Sequence, residues 1–167
     1  MNKVLLSVAL TATVLTGTSA VAAPTSVSNG PVQAHATIVK PLTLKKVSDM
    51  DFGSIVVQDN GTASLSNAGA LTCPATLTCA STGTPAEYTV TGTNNQVVFI
   101  TKPNVTLNNL TDTTAPSLTL VLTGPTQVTL PNSGVTGMNF KLGGDLAILA
   151  TTKEGVYQGD LAVTVNY

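Results

Sequence analysis

Arginine and tryptophan are absent from this 167-residue chain, and it has one histidine, two cysteines and six aromatics. All seven basic residues are lysine. Without arginine the chain lacks the side chain that dominates bidentate recognition of guanine and phosphate. No basic stripe compensates, so nucleic acid is excluded as a partner. One histidine and two cysteines make no zinc ligand set, and Cys73 and Cys79 are not spaced as a C-x-x-C redox pair. Six aromatics are too few for the two girdles of an outer-membrane barrel. Charged residues are only 9% of the chain. Glu, Gln and Lys, which favour helices, give way to Thr, Ser, Asn and Gly beside Val, Leu and Ile, a composition suited to pleated, half-buried strands.

No long apolar run follows residue 22. The N-terminus has Lys3, then a mostly apolar stretch from Val4 to Leu15, then the small residues Ala20-Val21-Ala22-Ala23. That order is a secretory signal peptide, and the stretch is too short to span a bilayer. Cleavage is expected after Ala22, with Ala20 as the alternative. Removal leaves about 145 residues, the size of one domain, with no membrane span. The expected organisation is a signal peptide over 1–22, a flexible arm over 23–33 and one β domain over 34–167. Export places the mature chain in the periplasm, then at the cell surface or outside it. In that oxidising setting Cys73 and Cys79 are expected to form a structural disulfide.

Short alternating segments separated by turn residues run through the domain. Ala34, Ala36 and Ile38 alternate with polar neighbours, and Leu42-Thr43-Leu44 resumes after Pro41. A second strand is expected over 51–57, with Asn60-Gly61 as a turn. Residues 66–84 read as loop. Gly143-Gly144 marks a bend or bulge after a strand that begins near Met138. Tyr157, Gly159, Leu161, Val163, Val165 and Tyr167 occupy one face of a final period-two segment. With no helical period, the pattern predicts an all-β, immunoglobulin-like antiparallel sandwich. Phe52, Tyr88, Phe99 and Phe140 are expected in its core.

No constellation carries catalysis. Asp49 and Asp51 read as turn residues, with a weak calcium site as the alternative. His35 has no serine or cysteine motif to serve. Three Asn-x-Thr sequences, at Asn60, Asn104 and Asn109, arise by chance in so Asn- and Thr-rich a chain. The chain is therefore expected to be no enzyme and to need no cofactor or metal.

The ending Gly155-Val156-Tyr157-Gln158-Gly159-Asp160-Leu161-Ala162-Val163-Thr164-Val165-Asn166-Tyr167 resembles the last strand of chaperone–usher pilins and spore coat protein U-like proteins. The start, residues 36–44 followed by Asp51-Phe52-Gly53-Ser54-Ile55, resembles a family of bacterial secreted β-sandwich domains of unknown function. The pilin resemblance implies a sandwich that lacks one strand, completed first by a periplasmic chaperone and then by the arm of another subunit. It implies a complementation edge at Tyr157, Leu161, Val163, Val165 and Tyr167, and a donor arm carrying Val32, Ala34, Ala36 and Ile38. The function it implies is a structural subunit of a pilus-like surface fibre, with other copies or related subunits as partners. The alternative is a self-complete secreted sandwich acting as a surface adhesin or carbohydrate-binding module.

Overall fold

The computed structural model describes residues 30–131 and 137–167. The expected signal peptide and the first part of the arm lie outside the described residues. The chain divides into two compact units, Met1–Ala36 and Thr37–Tyr167. Of the first, residues 30–36 are described; all are exposed and none is in a strand. The alternation at Ala34, Ala36 and Ile38 predicts a strand, but regular pairing begins only at Thr43. Small residues at Ala34 and Ala36 offer little apolar area to hold a strand down.

The second unit is an all-β antiparallel sandwich. Its strands are β1 (Thr43–Ser48), β2 (Ile55–Val57), β3 (Gly61–Leu65), β4 (Leu71–Thr72), β5 (Leu77–Cys79), β6 (Ala86–Thr91) and β7 (Val97–Thr101). They continue as β8 (Val105–Asn109), β9 (Leu118–Thr123), β10 (Gln127–Thr129), β11 (Met138–Ile148), β12 (Tyr157–Gln158) and β13 (Thr164–Asn166). No helix among the described residues is long and apolar enough to cross a membrane.

One sheet runs β1-β6-β11-β9-β8-β12, with β3 and β4 attached through β11. A second is β10-β7-β13, and a third is the pair β2-β5. The large sheet curls because β11 changes neighbours along its length. Met138 to Leu142 pair with β6, while Gly144 to Ile148 pair with β3. The glycine pair sits at this change. A Cβ on Gly143 would fall on the Leu65 carbonyl, and one on Gly144 would lie 2.7 Å from Leu120 Cδ1. In place of the expected bend or bulge, β11 runs unbroken from Met138 to Ile148. The expected loop over 66–84 likewise contains β4 and β5.

Alternation sorts the side chains into two core clusters. Leu65, Leu107, Leu120, Leu122, Leu146 and Ile148 belong to the first. Tyr88, Val90, Val98, Ile100, Phe140 and Leu142 belong to the second. Met50, Leu161 and Val163 pack against both, so the segment between β12 and β13 helps tie them together. Tyr88 and Phe140 are opposite each other in the β6–β11 register, with ring centroids 5.6 Å apart and stacked. Burial raises the Tyr88 phenol above its ordinary value of 10.0. Phe99 differs from the expectation. Val98 and Ile100 take the inward positions of β7, and strand parity turns Phe99 outward, where it is 49% exposed.

Cys73 and Cys79 form a disulfide, with Cα atoms 6.4 Å apart. Cys73 follows β4 and Cys79 ends β5, so the bond closes the turn that connects these two strands. Replacing both cysteines with serine is expected to lower unfolding stability by about 2 kcal/mol, the value for so short a ring. Urea denaturation of the two forms checks this.

Candidate functional site

The last segment alternates in burial as its sequence predicts. Tyr157, Gly159, Leu161, Val163 and Val165 are half-buried, and the residues between them are exposed. Its pairing is less regular. Tyr157 and Gln158 pair with β8, then Thr164, Val165 and Asn166 pair with β7. Residues 159–163 between them are in no strand. The segment thus crosses from the edge of one sheet to the edge of another.

Glycine spacing makes this crossing possible. Gly155 has φ +141 and lies against the Asn109 amide, where any Cβ would collide. A Cβ on Gly159 would strike the Thr106 carbonyl. The G-x-Y-x-G element thus brings the chain onto β8 at the two places where only a hydrogen fits. Asn109 is 3% exposed. Its Nδ2 donates to the Glu154 carbonyl at 3.0 Å, and its Oδ1 accepts from the Thr111 and Asp112 amides at 2.8 and 2.9 Å. Sequence reading passed over this residue as a chance sequon; its burial leaves no room for a glycan in the folded chain. Asn109→Ala would strip three backbone groups of their partner. It is expected to cost about 1–3 kcal/mol, while the exposed Asn108→Ala costs under about 0.5 kcal/mol. Thermal unfolding of the two variants checks the difference.

Beside this segment lies a cleft of ≈ 760 Å³. Residues 50–57 form one wall, and residues 152–159 with Leu161 form the other. Its floor is Leu107, Leu118, Leu120, Leu146 and Ile148, the inner face of β8, β9 and β11. The walls are strand edges. Among the described residues β2 pairs only with β5, and β12 only with β8. Each therefore presents unpaired backbone donors and acceptors on its other side. The same holds for β13, which pairs only with β7.

Of the expected edge residues, Tyr157 and Leu161 line the cleft. Val163 and Val165 continue along the same chain, packed on the second cluster. Tyr157 donates its hydroxyl to the Lys153 carbonyl at 3.0 Å. The Tyr167 phenol accepts the Thr93 amide at 2.7 Å and donates to the Lys40 carbonyl at 2.6 Å. It fastens the end of the chain where the N-terminal segment leaves the domain. Gly92 permits this, because a Cβ there would be 2.5 Å from the phenol oxygen. The opposite wall, with Phe52, Ile55 and Val57, was not anticipated. Its signal was present in the apolar Ile55-Val56-Val57, a run too short to place without knowing its partner.

The expected donor residues are at the surface. Val32 is 94% and Ile38 92% exposed. Ala34 and Ala36 are exposed as well. So is His35. Asp49 accepts from Lys46 at 2.8 Å, and Asp51 accepts the Gly53 amide at 2.7 Å, as turn residues do. No cluster of three or more His, Cys, Asp or Glu side chains exists among the described residues.

No curated protein and no solved structure matches the chain. Residues 42–167 match the family described as a domain of unknown function, DUF4402, a span from the residue before β1 to the final tyrosine. The chain belongs to the DUF4402 family.

Proposed function

We propose that this chain is a structural subunit of a pilus-like surface fibre, exported by its N-terminal signal and joined to its neighbours by strand complementation. The carrying observation is the leucine-floored cleft lined by β2 and β12, two strands that each have a single ladder partner among the described residues. A strand laid there would satisfy backbone groups on both walls and bury alternate side chains on the floor. The chain offers an insert in kind. Val32, Ala34, Ala36 and Ile38 fall at every second residue, and the two large ones are almost fully exposed.

Until a neighbour arrives, a periplasmic chaperone strand would cover the cleft. The partners of the mature chain are then other copies or related subunits. Nothing in this role needs a cofactor, and the joint is made of ladder hydrogen bonds and apolar burial rather than chemistry. Surface material sheared from cells and run unheated on an SDS gel is the test. A ladder of this chain that collapses to one band on boiling supports fibre assembly. One monomer band in both lanes removes the proposal.

A further inference from the structure

We propose a second site, independent of fibre assembly: the outer face of the β10-β7-β13 sheet is a platform for a neutral sugar ring, with Phe99 beneath the ring. Each other aromatic has a structural task. Tyr88 and Phe140 stack in the core, Phe52 packs against it, and Tyr157 and Tyr167 fasten backbone through their hydroxyls. Phe99 is half-exposed and belongs to neither core cluster.

Strand register sets what surrounds it. Gln127 on β10 and Asn166 on β13 are both directly opposite Phe99. Opposed residues share a face, with Cβ atoms about 5 Å apart. The row Gln127-Phe99-Asn166 therefore crosses the sheet with an aromatic centre and an amide on each flank, about 10 Å from end to end. Neither amide side chain has a hydrogen-bond partner among the described residues. The neighbouring positions on the face are Val97, Thr101, Thr129 and Thr164, so none of the side chains around the row is charged.

The chemistry selects the ligand. An aromatic face is electron-rich and attracts the polarised C–H bonds on the flat side of a pyranose. The two amides supply donors and acceptors for hydroxyl groups. A charge-free face has nothing to offset the desolvation of a carboxylate or sulfate, so the sugar is neutral. Size argues against a protein partner. Three strands of three to five residues cover roughly 200 Å², while a stable protein interface needs about 800 Å² on each side. A flat site of this kind binds weakly by itself and gains from repetition.

Depletion of the full chain onto insoluble starch, cellulose, chitin and mannan, with alginate and heparin beads beside them, tests the site. Wild type is expected on at least one neutral polysaccharide and to be released by the matching soluble oligosaccharide. Phe99→Ala should weaken retention about tenfold or more and Gln127→Ala/Asn166→Ala several-fold, with unchanged unfolding temperatures because all three side chains are exposed. Retention on none of the neutral materials, retention only on the charged ones, or equal retention of Phe99→Ala overturns the proposal. Fibre-forming and non-fibre-forming chains both carry the face, so its failure leaves the fibre reading standing, and the reverse.

Discussion

A chain that begins at Val39 is expected to lose the SDS-resistant ladder while keeping the β-sheet signature of the folded domain. The shortened chain retains every strand, both core clusters, and Lys40, whose carbonyl holds Tyr167. It loses Val32 and Ile38, the two large exposed residues of the proposed donor. Point variants grade the effect. Moving an isoleucine side chain from water into an apolar cleft is worth about 1.5–3 kcal/mol. Ile38→Asp forfeits that and adds the cost of a buried charge, so each joint should weaken by at least about tenfold. On the acceptor side Leu161→Asp should do the same, because Leu161 lines the cleft and packs on both clusters. A donor variant and an acceptor variant that each fail alone should still fail when mixed if each fibre joint needs both sites. Mixing the Leu161→Asp chain, which keeps an intact arm, with the Val39-start chain, which keeps an intact cleft, should give dimers at most. Sedimentation of purified material separates these outcomes.

The second large effect concerns the core. Leu142→Ala is expected to cost about 2–5 kcal/mol, whether or not fibres form. Leu142 is 0% exposed, on β11 where that strand hands over between neighbours. Its Cδ2 would lie 3.0 Å from a Cβ on Gly124, so the surroundings are close-packed and collapse little around a void. In a domain of this size the loss should lower the unfolding temperature by about 10 °C or more. Val121→Ala, on the same sheet but 43% exposed, should change it by under about 0.5 kcal/mol. Calorimetry of the monomeric Val39-start chain and of assembled material should show the Leu142→Ala loss in both. A joint contributes stability only to the assembled form, so the two measurements separate domain packing from complementation.

Much of this architecture was legible because strand parity is a strong signal. The alternation of Tyr157 through Val165 predicted its burial residue by residue, and the all-β sandwich followed from Thr-rich segments between turns. Parity also misled. Phe99 looked like core because it is aromatic in an apolar run, but Val98 and Ile100 fill the inward positions and only the register to β10 and β13 reveals this. Pairing was the other blind spot. Nothing local shows that residues 159–163 lack a ladder, or that Ile55 to Val57 stand across a cleft from Tyr157. The leucines of the cleft floor come from the consecutive strands β8 and β9 and from the later β11, so their convergence is a property of topology. Asn109 was invisible because an asparagine before a turn is ordinary; the Thr111 and Asp112 amides are local partners, and the third is supplied only when Glu154 folds back beside it.

The account stands or falls on whether the cleft accepts the chain's own N-terminal segment. A synthetic peptide of residues 24–39 titrated into the Val39-start chain measures this directly, by unfolding temperature and by unheated SDS electrophoresis. The account predicts one-to-one binding, a rise in unfolding temperature with peptide concentration, and a complex that survives cold SDS, all lost with Ile38→Asp in the peptide or Leu161→Asp in the domain. An unfolding temperature unmoved by excess peptide, with no complex on the gel, would contradict it and leave the domain a sandwich complete in itself.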